Sequence, residues 1–205
     1  MINQAVILCG GNAERLQDRD RGEDFLMGIP KPLVEVGGQP FAYYAISTFC
    51  AMGVEDVVLV VKEDDLFHYT QHLEWRRAGI WRLSMADVMV DKGVLGIADL
   101  DDTFILLNGD CLPVMGVLEW GDYVSHEGPL ITVKTVGDRD AGMATVRRKD
   151  IEEGKVSCGN LAAMRDVYRP YLVSGGLHVG TPRGLHRARQ FVHTYVFGLM
   201  MTWTS

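Results

Sequence analysis

Groups able to grip phosphate lie close together near the N-terminus. They are the adjacent glycines Gly10 and Gly11, and the cations Arg15 and Lys31. Glycine lets main-chain N–H groups approach a polyanion. Arginine offers a planar charged fork that bridges phosphate oxygens, and lysine, here between two prolines, offers a point charge. The spacing predicts a loop that holds the phosphates of a nucleoside triphosphate.

A second interpretation of the two glycines stays open at this point. They follow an apolar run, and a strand-to-helix turn needs glycine for its geometry alone. Two well-known phosphate motifs are excluded by inspection. The chain has no G-x-x-x-x-G-K-[ST] loop, and "GGNAER" does not satisfy G-x-G-x-x-G.

An acidic residue ends another apolar run, "TFILLNGDCLP", at Gly109 and Asp110. The carboxyl ends of parallel strands share one edge of a sheet, so Asp110 is expected to face the same crevice as the glycines. Mg²⁺ used with nucleotides is typically held by one or two carboxylates and by phosphate oxygens. Asp110 is therefore a candidate metal ligand, with a strand-ending turn or a helix cap as the structural alternative.

The elements that position these groups follow an alternating pattern. Short β-branched runs alternate with segments of helical period, which predicts an α/β fold with a mostly parallel sheet and a single domain over residues 1–205. Helices are predicted over residues 40–53, 65–79 and 184–201, the first ending at Gly53. The predicted strands are Ala5–Cys9, Asp56–Val61, Thr103–Leu107, Leu130–Val136 and Met143–Arg147.

The amino-acid composition and charge of the chain argue against several classes of function. The formal net charge of −7 argues against general binding to nucleic acid or to anionic membranes. The four cysteines have no zinc-type or disulfide-type spacing, which favours reduced thiols. No signal-peptide pattern is apparent and no apolar run reaches the roughly 20 residues of a spanning helix. A cytoplasmic enzyme is expected.

Taken together with "IPKPLVEVGGQPF", the N-terminal stretch resembles the signature of the sugar-nucleotide pyrophosphorylases, the NTP:sugar-1-phosphate nucleotidyltransferases. That family has a G-G-x-G-T-R-L loop followed by P-K-P-[LM]-x-x-[IV]-x-G-[KQ]-P-[IFL]. Ala13 and Glu14 depart from it, and the segment between Arg15 and Lys31 is longer than usual, as either a flap or a solvated loop. The matching residues are Gly10, Gly11, Arg15, Leu16, Pro30, Lys31, Pro32, Leu33, Gly38 and Pro40.

The resemblance implies a Rossmann-like three-layer α/β/α fold and a Mg²⁺-dependent reaction. A sugar 1-phosphate would attack the α-phosphorus of an NTP and release pyrophosphate. Arg15 and Lys31 would be catalytic, and Asp110, matching L-x-x-G-D, would carry the magnesium ion. The implied nucleotide-binding residues are Leu8, Gly10, Gly11, Asn12, Arg15, Lys31, Asn108 and Gly109.

A second metal-binding acid is not visible in the C-terminal half. "LHVGTPRGLHRARQF" aligns in two ways with family segments. In one, His178 replaces the acid of W-x-D-[IV]-G-T-P. In the other, Ser174–Val179 matches N-A-G-[IV]-Y-[VL], which is preferred here for its position along the chain.

The E-K-P motif, whose lysine meets the sugar phosphate in the family, is also missing. Lys155 and Gly176 are the candidate acceptor-binding residues, and Arg165 is a further substitute for the lysine. These shortfalls keep two alternatives open: a nucleotide-binding or regulatory domain with weakened catalysis, and a nucleotidyltransferase acting on a non-sugar phosphate. A homo-oligomer is also left open, and no motif fixes the base or the acceptor.

Overall fold

The computed structural model describes residues 2–11, 17–18, 23–24, 29–71, 81–85, 90–126, 128–134, 140–173 and 175–191. Asn12 and Arg15 lie outside these residues, as does most of the segment that joins Arg15 to Lys31.

The described elements alternate between strands and helices, as the sequence pattern predicts. The strands are β1 Gln4–Leu8, β2 Gln17–Asp18, β3 Glu23–Asp24, β4 Glu35–Val36, β5 Gln39–Pro40, β6 Asp56–Val61, β7 Trp81–Met85, β8 Thr103–Asn108, β9 Cys111–Val114, β10 Leu130–Lys134, β11 Asp140–Arg147, β12 Arg169–Val173 and β13 Gly175–His178. The helices are α1 Phe41–Ala51, α2 Leu66–Gln71, α3 Val90–Leu95, α4 Val117–Ser125, α5 Arg148–Glu152 and α6, residues 182–191.

Seven of these strands form the central sheet, in the order β12-β10-β11-β8-β1-β6-β7. All of its neighbouring strands pair in parallel except where β11 meets β10 and β8. The three adjacent parallel strands β8, β1 and β6 are almost fully buried runs of mainly apolar residues, the composition expected of strands covered on both faces. The predicted mostly parallel sheet is confirmed.

Successive residues of the central strands point into two separate cores. Ala5 and Ile7 pack with buried residues of α1, α2 and α4 on one face of the sheet. Val6 packs with Val94 of α3 and Ile151 of α5 on the other. This alternation is the period-2 pattern of a strand buried on both sides. It produces the predicted three-layer α/β/α arrangement.

Helix α1 shows how the sequence fixes one of these layers. Phe41, Ala45, Ile46 and Phe49 recur at helical spacing, and all four are buried. Ala45, Ile46 and Phe49 pack against the sheet, whereas Phe41 packs with Val179 and with Leu185 of α6. The helix ends where Gly53 adopts a φ of 83°, the left-handed conformation that glycine tolerates. The predicted helix and its stop signal at Gly53 are both confirmed.

Two strands of the sheet, β7 and β12, are absent from the sequence-based prediction, as is the small ribbon formed by β9 and β13. Both β7 and β12 are edge strands. Strand β12 contains Pro170, which cannot donate a backbone hydrogen bond and is tolerated only at an edge. Among the described helices, none is both long and apolar enough to cross a bilayer.

Candidate active site

The turn after β8 places Asp110 at the carboxyl edge of the sheet. Gly109 N–H donates a 2.9 Å hydrogen bond to the carbonyl of Leu8, the last residue of β1. A Cβ atom at Gly109 would lie 2.7 Å from that carbonyl oxygen and 2.9 Å from Cγ of Pro32. Only glycine lets the β8 turn close against both segments, and this close packing sets the position of Asp110.

Lys31 reaches the same edge from the proline-flanked segment. It begins a 3-10 turn, Lys31–Leu33, in which Val34 N–H donates to the Lys31 carbonyl at 3.1 Å. The lysine is 6% exposed, which is unusual for this residue type unless its charge is paired. Its Nζ lies 3.7 Å from Oδ2 of Asp110. Two of the predicted site residues are therefore in direct electrostatic contact.

His178 approaches Asp110 from the C-terminal half of the chain. Strand β13 pairs antiparallel with β9, with His178 opposite Cys111, and Val179 N–H donates to the Asp110 carbonyl at 2.8 Å. His178 Nε2 then lies 3.3 Å from Oδ2 of Asp110. This contact favours the alignment in which His178 replaces an acid, against the preference drawn from chain position.

The carboxyl group of Asp110 is strongly acidic in this setting. Burial raises its pKa, but the hydrogen bond and charge of His178, the charge of Lys31 and the hydrogen bond from Cys111 outweigh that effect. The net result lowers the pKa of Asp110 to about 2. Asp110 is therefore an anion at neutral pH, as a metal ligand must be.

The glycine pair follows β1 at the same edge. Cys9, which precedes it, donates its N–H to the carbonyl of Val60 at 2.8 Å, so the chain stays in register with β6 up to that point. Gly11 is exposed, its φ lies outside the left-handed region, and an added Cβ would meet no described residue within 4 Å. Neither its own φ nor contact with the described residues requires glycine at Gly11, whereas close approach of a ligand would.

The side chains that could share a metal ion differ from those that magnesium prefers. Among the described residues, the cluster consists of Asp110, Cys111 and His178, whose ligand atoms all lie within 4.8 Å of one another. It offers one carboxylate, one thiol and one imidazole. Magnesium demands oxygen ligands in near-ideal octahedral geometry. Asp110 supplies a carboxylate of the kind that holds magnesium beside phosphate oxygens, whereas the thiol and the imidazole are not magnesium ligands.

Of the other predicted residues, Leu8 and Asn108 end the paired strands β1 and β8 and face each other in the register. Gly176 lies on β13 opposite Pro113, two residues from His178. Asn12 and Arg15 lie outside the described residues.

Lys155, a predicted acceptor-binding residue, does not lie near Asp110. It follows α5, and α5 follows β11, whose last residue Arg147 pairs with Thr103, the first residue of β8. The six residues of β8, at roughly 3.3 Å each, separate that end of the sheet from Asp110. Lys155 instead pairs with Glu153 at 2.5 Å. The structure does not bring it to the site.

Comparisons with known proteins agree with this architecture. Residues 5–82 match the family model described as MobA-like NTP transferase domain. A probable glucose-1-phosphate cytidylyltransferase of Bacillus subtilis is 23% identical over 88% of the chain and 75% of its own length. The chain is similar in sequence to named sugar-1-phosphate nucleotidyltransferases.

Another relative is the catalytic subunit beta of mannose-1-phosphate guanylyltransferase from Xenopus tropicalis, 23% identical over 90% of this chain. The chain spans 51% of that protein's length. A solved structure, a UTP-bound UGPase from Acinetobacter baumannii, superposes with a TM-score of 0.65 at 16% identity and covers 93% of each chain. The predicted fold and family resemblance are confirmed, and the named relatives are enzymes.

Proposed function

We propose that this protein is an NTP:sugar-1-phosphate nucleotidyltransferase. In this reaction an oxygen of the sugar 1-phosphate attacks the α-phosphorus of the NTP. The bond from that phosphorus to the bridging oxygen breaks, pyrophosphate leaves, and an NDP-sugar forms. The observation that carries the proposal is the contact between buried Lys31 and Asp110. This contact lies at the edge of the sheet where Gly10 and Gly11 follow β1.

The chain's own residues supply binding and charge compensation rather than covalent chemistry. Gly10 and Gly11 would present main-chain N–H groups to the phosphates. The ammonium group of Lys31, held by its buried position, would bind the α-phosphate and offset charge that develops there. Arg15 is expected to stabilise the leaving pyrophosphate, and this role stays a prediction.

Asp110 constrains how the site can be used. A carboxylate with a pKa of about 2 is ionised at neutral pH and repels a triphosphate. A cation must therefore lie between the two anions, and Lys31 alone supplies one positive charge. Use of Mg²⁺, with Asp110 as its expected ligand, stays a prediction, since it rests on the family resemblance.

The acceptor would lie on the side of the site formed by β9 and β13. Gly176 lies there, so its predicted acceptor-binding role remains part of the proposal. The base and the sugar are not assigned. A sugar 1-phosphate is favoured because the two named relatives carry glucose 1-phosphate and mannose 1-phosphate in their names.

The test is release of pyrophosphate from each of the common NTPs, with a panel of sugar 1-phosphates and polyol phosphates as acceptors. Lys31→Met removes the charge and keeps much of the side chain's length. Its matched control is Lys149→Met, because Lys149 is exposed on α5 at the opposite edge. Lys31→Met should lower kcat by about 10²–10³-fold, and Lys149→Met should leave it unchanged.

The outcomes separate the proposal from its alternatives. A loss of ten-fold or less in folded Lys31→Met would contradict the assigned role of Lys31. Nucleotide binding without pyrophosphate release for any acceptor would support a regulatory domain. Turnover restricted to polyol phosphates would identify a nucleotidyltransferase for a non-sugar phosphate.

A further inference from the structure

We propose that Asp110, Cys111 and His178 form a binding site for a first-row transition-metal cation of the Zn²⁺ or Co²⁺ type, in preference to Mg²⁺. This inference deepens the proposed function and rests on it only for the use made of the ion. The binding itself follows from the donor set, its separations and the way the two strands hold it.

The ligand chemistry favours a borderline metal. Carboxylate and water oxygens suit Mg²⁺, whereas imidazole nitrogen and thiolate sulfur suit Zn²⁺ and its neighbours. Two of the three side chains in this cluster therefore select against magnesium. Oxygen, nitrogen and sulfur ligands of these kinds are the usual ligands of zinc in proteins.

Each side chain lies at a ligand-like distance from one Asp110 oxygen, Oδ2 for His178 and Oδ1 for Cys111, and the three ligand atoms all lie within 4.8 Å of one another. With zinc–oxygen and zinc–nitrogen bonds of about 2.0–2.1 Å, such ligands lie about 3.3 Å apart. His178 Nε2 and Asp110 Oδ2 are 3.3 Å apart. A zinc–sulfur bond of about 2.3 Å extends the expected sulfur–oxygen separation to about 3.5 Å. Cys111 Sγ lies 3.4 Å from Asp110 Oδ1.

The backbone holds the ligands in place without filling the space between them. The β9–β13 register sets His178 opposite Cys111, and the hydrogen bond from Val179 fixes the same strand to Asp110. A Cβ atom at Gly180 would lie 2.5 Å from Asp110 Oδ2 and 2.6 Å from His178 Nε2. Glycine therefore keeps clear a position that contacts both ligands.

A second glycine makes room for the cysteine. Gly142 has a φ of 81°, and an added Cβ would overlap Cβ of Cys111 and lie 2.6 Å from its Sγ. Because glycine stands there, Cys111 fits under β11 and keeps its sulfur beside Asp110. Three protein ligands leave at least one coordination position for a further group, the arrangement typical of catalytic rather than structural zinc sites.

The test is cobalt binding to metal-free protein without nucleotide. Titration with CoCl₂ is followed by visible absorption, by near-ultraviolet thiolate-to-cobalt charge transfer and by calorimetry, then repeated against MgCl₂. One Co²⁺ should bind per chain with both absorption features, and about 100-fold more Mg²⁺ should be needed to compete. Cys111→Ser should remove the charge-transfer band.

His178→Asp tests the selectivity directly, because it replaces nitrogen by oxygen. It should weaken Co²⁺ binding by about 10–100-fold and improve Mg²⁺ binding. The matched control is His186→Asp, since His186 is exposed on α6, and it should change neither affinity. Thermal unfolding of each variant establishes that the compared proteins are folded.

Three results would overturn the assignment. They are equal affinity for Mg²⁺ and Co²⁺, unchanged cobalt affinity in folded His178→Asp, and a charge-transfer band that persists in Cys111→Ser. Failure of the proposed function is distinguishable. Selective cobalt binding without pyrophosphate release under any metal would support the metal site and contradict the proposed reaction. Turnover by a protein that does not select cobalt would support the reaction and contradict the metal site.

Discussion

Two glycine-to-alanine substitutions separate folding from nucleotide binding at the proposed phosphate site. At Gly109 the added methyl would lie 2.7 Å from the Leu8 carbonyl oxygen, so either the turn or β1 must shift. Overpacking of this kind costs about 1–3 kcal/mol of unfolding free energy. At Gly11 the methyl would meet none of the described residues within 4 Å. Alanine there should leave stability unchanged or raise it by about 0.4–1 kcal/mol.

Nucleotide affinity should respond differently at Gly11. If its N–H approaches a phosphate oxygen, the methyl displaces a charge-assisted hydrogen bond of about 1.5–3 kcal/mol. The dissociation constant should then rise by about 10- to 150-fold. Urea denaturation gives the stability, and calorimetric titration with a non-hydrolysable NTP gives the affinity. A folded Gly11→Ala protein with wild-type affinity would refute the view that glycine is needed there for phosphate approach.

Three further predictions concern residues around and away from the site. Asp150→Ala should lose about 1–3 kcal/mol of stability, because buried Tyr168 loses the acceptor that its hydroxyl meets at 3.1 Å. Its turnover per folded molecule should equal wild type, and a fall in kcat would contradict its placement at the far edge. Gly142→Ala should lower both the stability measured by urea denaturation and the affinity for Co²⁺, because Gly142 has a φ of 81° and contacts Cys111. Unchanged values of both would contradict the described packing of Cys111. Burial raises the pKa of Cys9 to about 12, so iodoacetamide at pH 8 should modify this thiol only after unfolding. Mass spectrometry measures the modification, and rapid modification of Cys9 in the folded protein would contradict its burial. Above pH 9 the unfolded thiol loses its proton first, so the contribution of Cys9 to stability falls as pH rises.

The middle of the sheet could be predicted from the sequence because its signal is local. Strands β1, β6 and β8 are continuous runs of mainly apolar residues, and α1 carries an apolar stripe that ends at a glycine. The position of Gly10, Gly11 and Asp110 at one edge of the sheet follows from the rule that parallel strands share a carboxyl edge. The contact of Asp110 with Lys31 does not follow from that rule, because Lys31 lies on a 3-10 turn and not at the end of a sheet strand.

The remaining part depends on pairing between distant segments. His178 reaches Asp110 only because β13 pairs with β9 in one register, and a one-residue slip would turn its side chain to the other face. The sequence signal was present in "HVGTP", where histidine stands for an acid, but chain position favoured another alignment. The expectation for Lys155 was drawn from its residue type alone and took no account of strand direction. The lysine suited phosphate, whereas the antiparallel direction of β11 carries it to the far edge.

The most direct test of the account is a crystal structure with a non-hydrolysable NTP bound. Triphosphate oxygens should lie within hydrogen-bond distance of the Gly11 N–H and the Lys31 ammonium group, with a cation between the phosphates and Asp110. A nucleotide bound at another edge of the sheet, with Lys31 still paired only to Asp110, would contradict it.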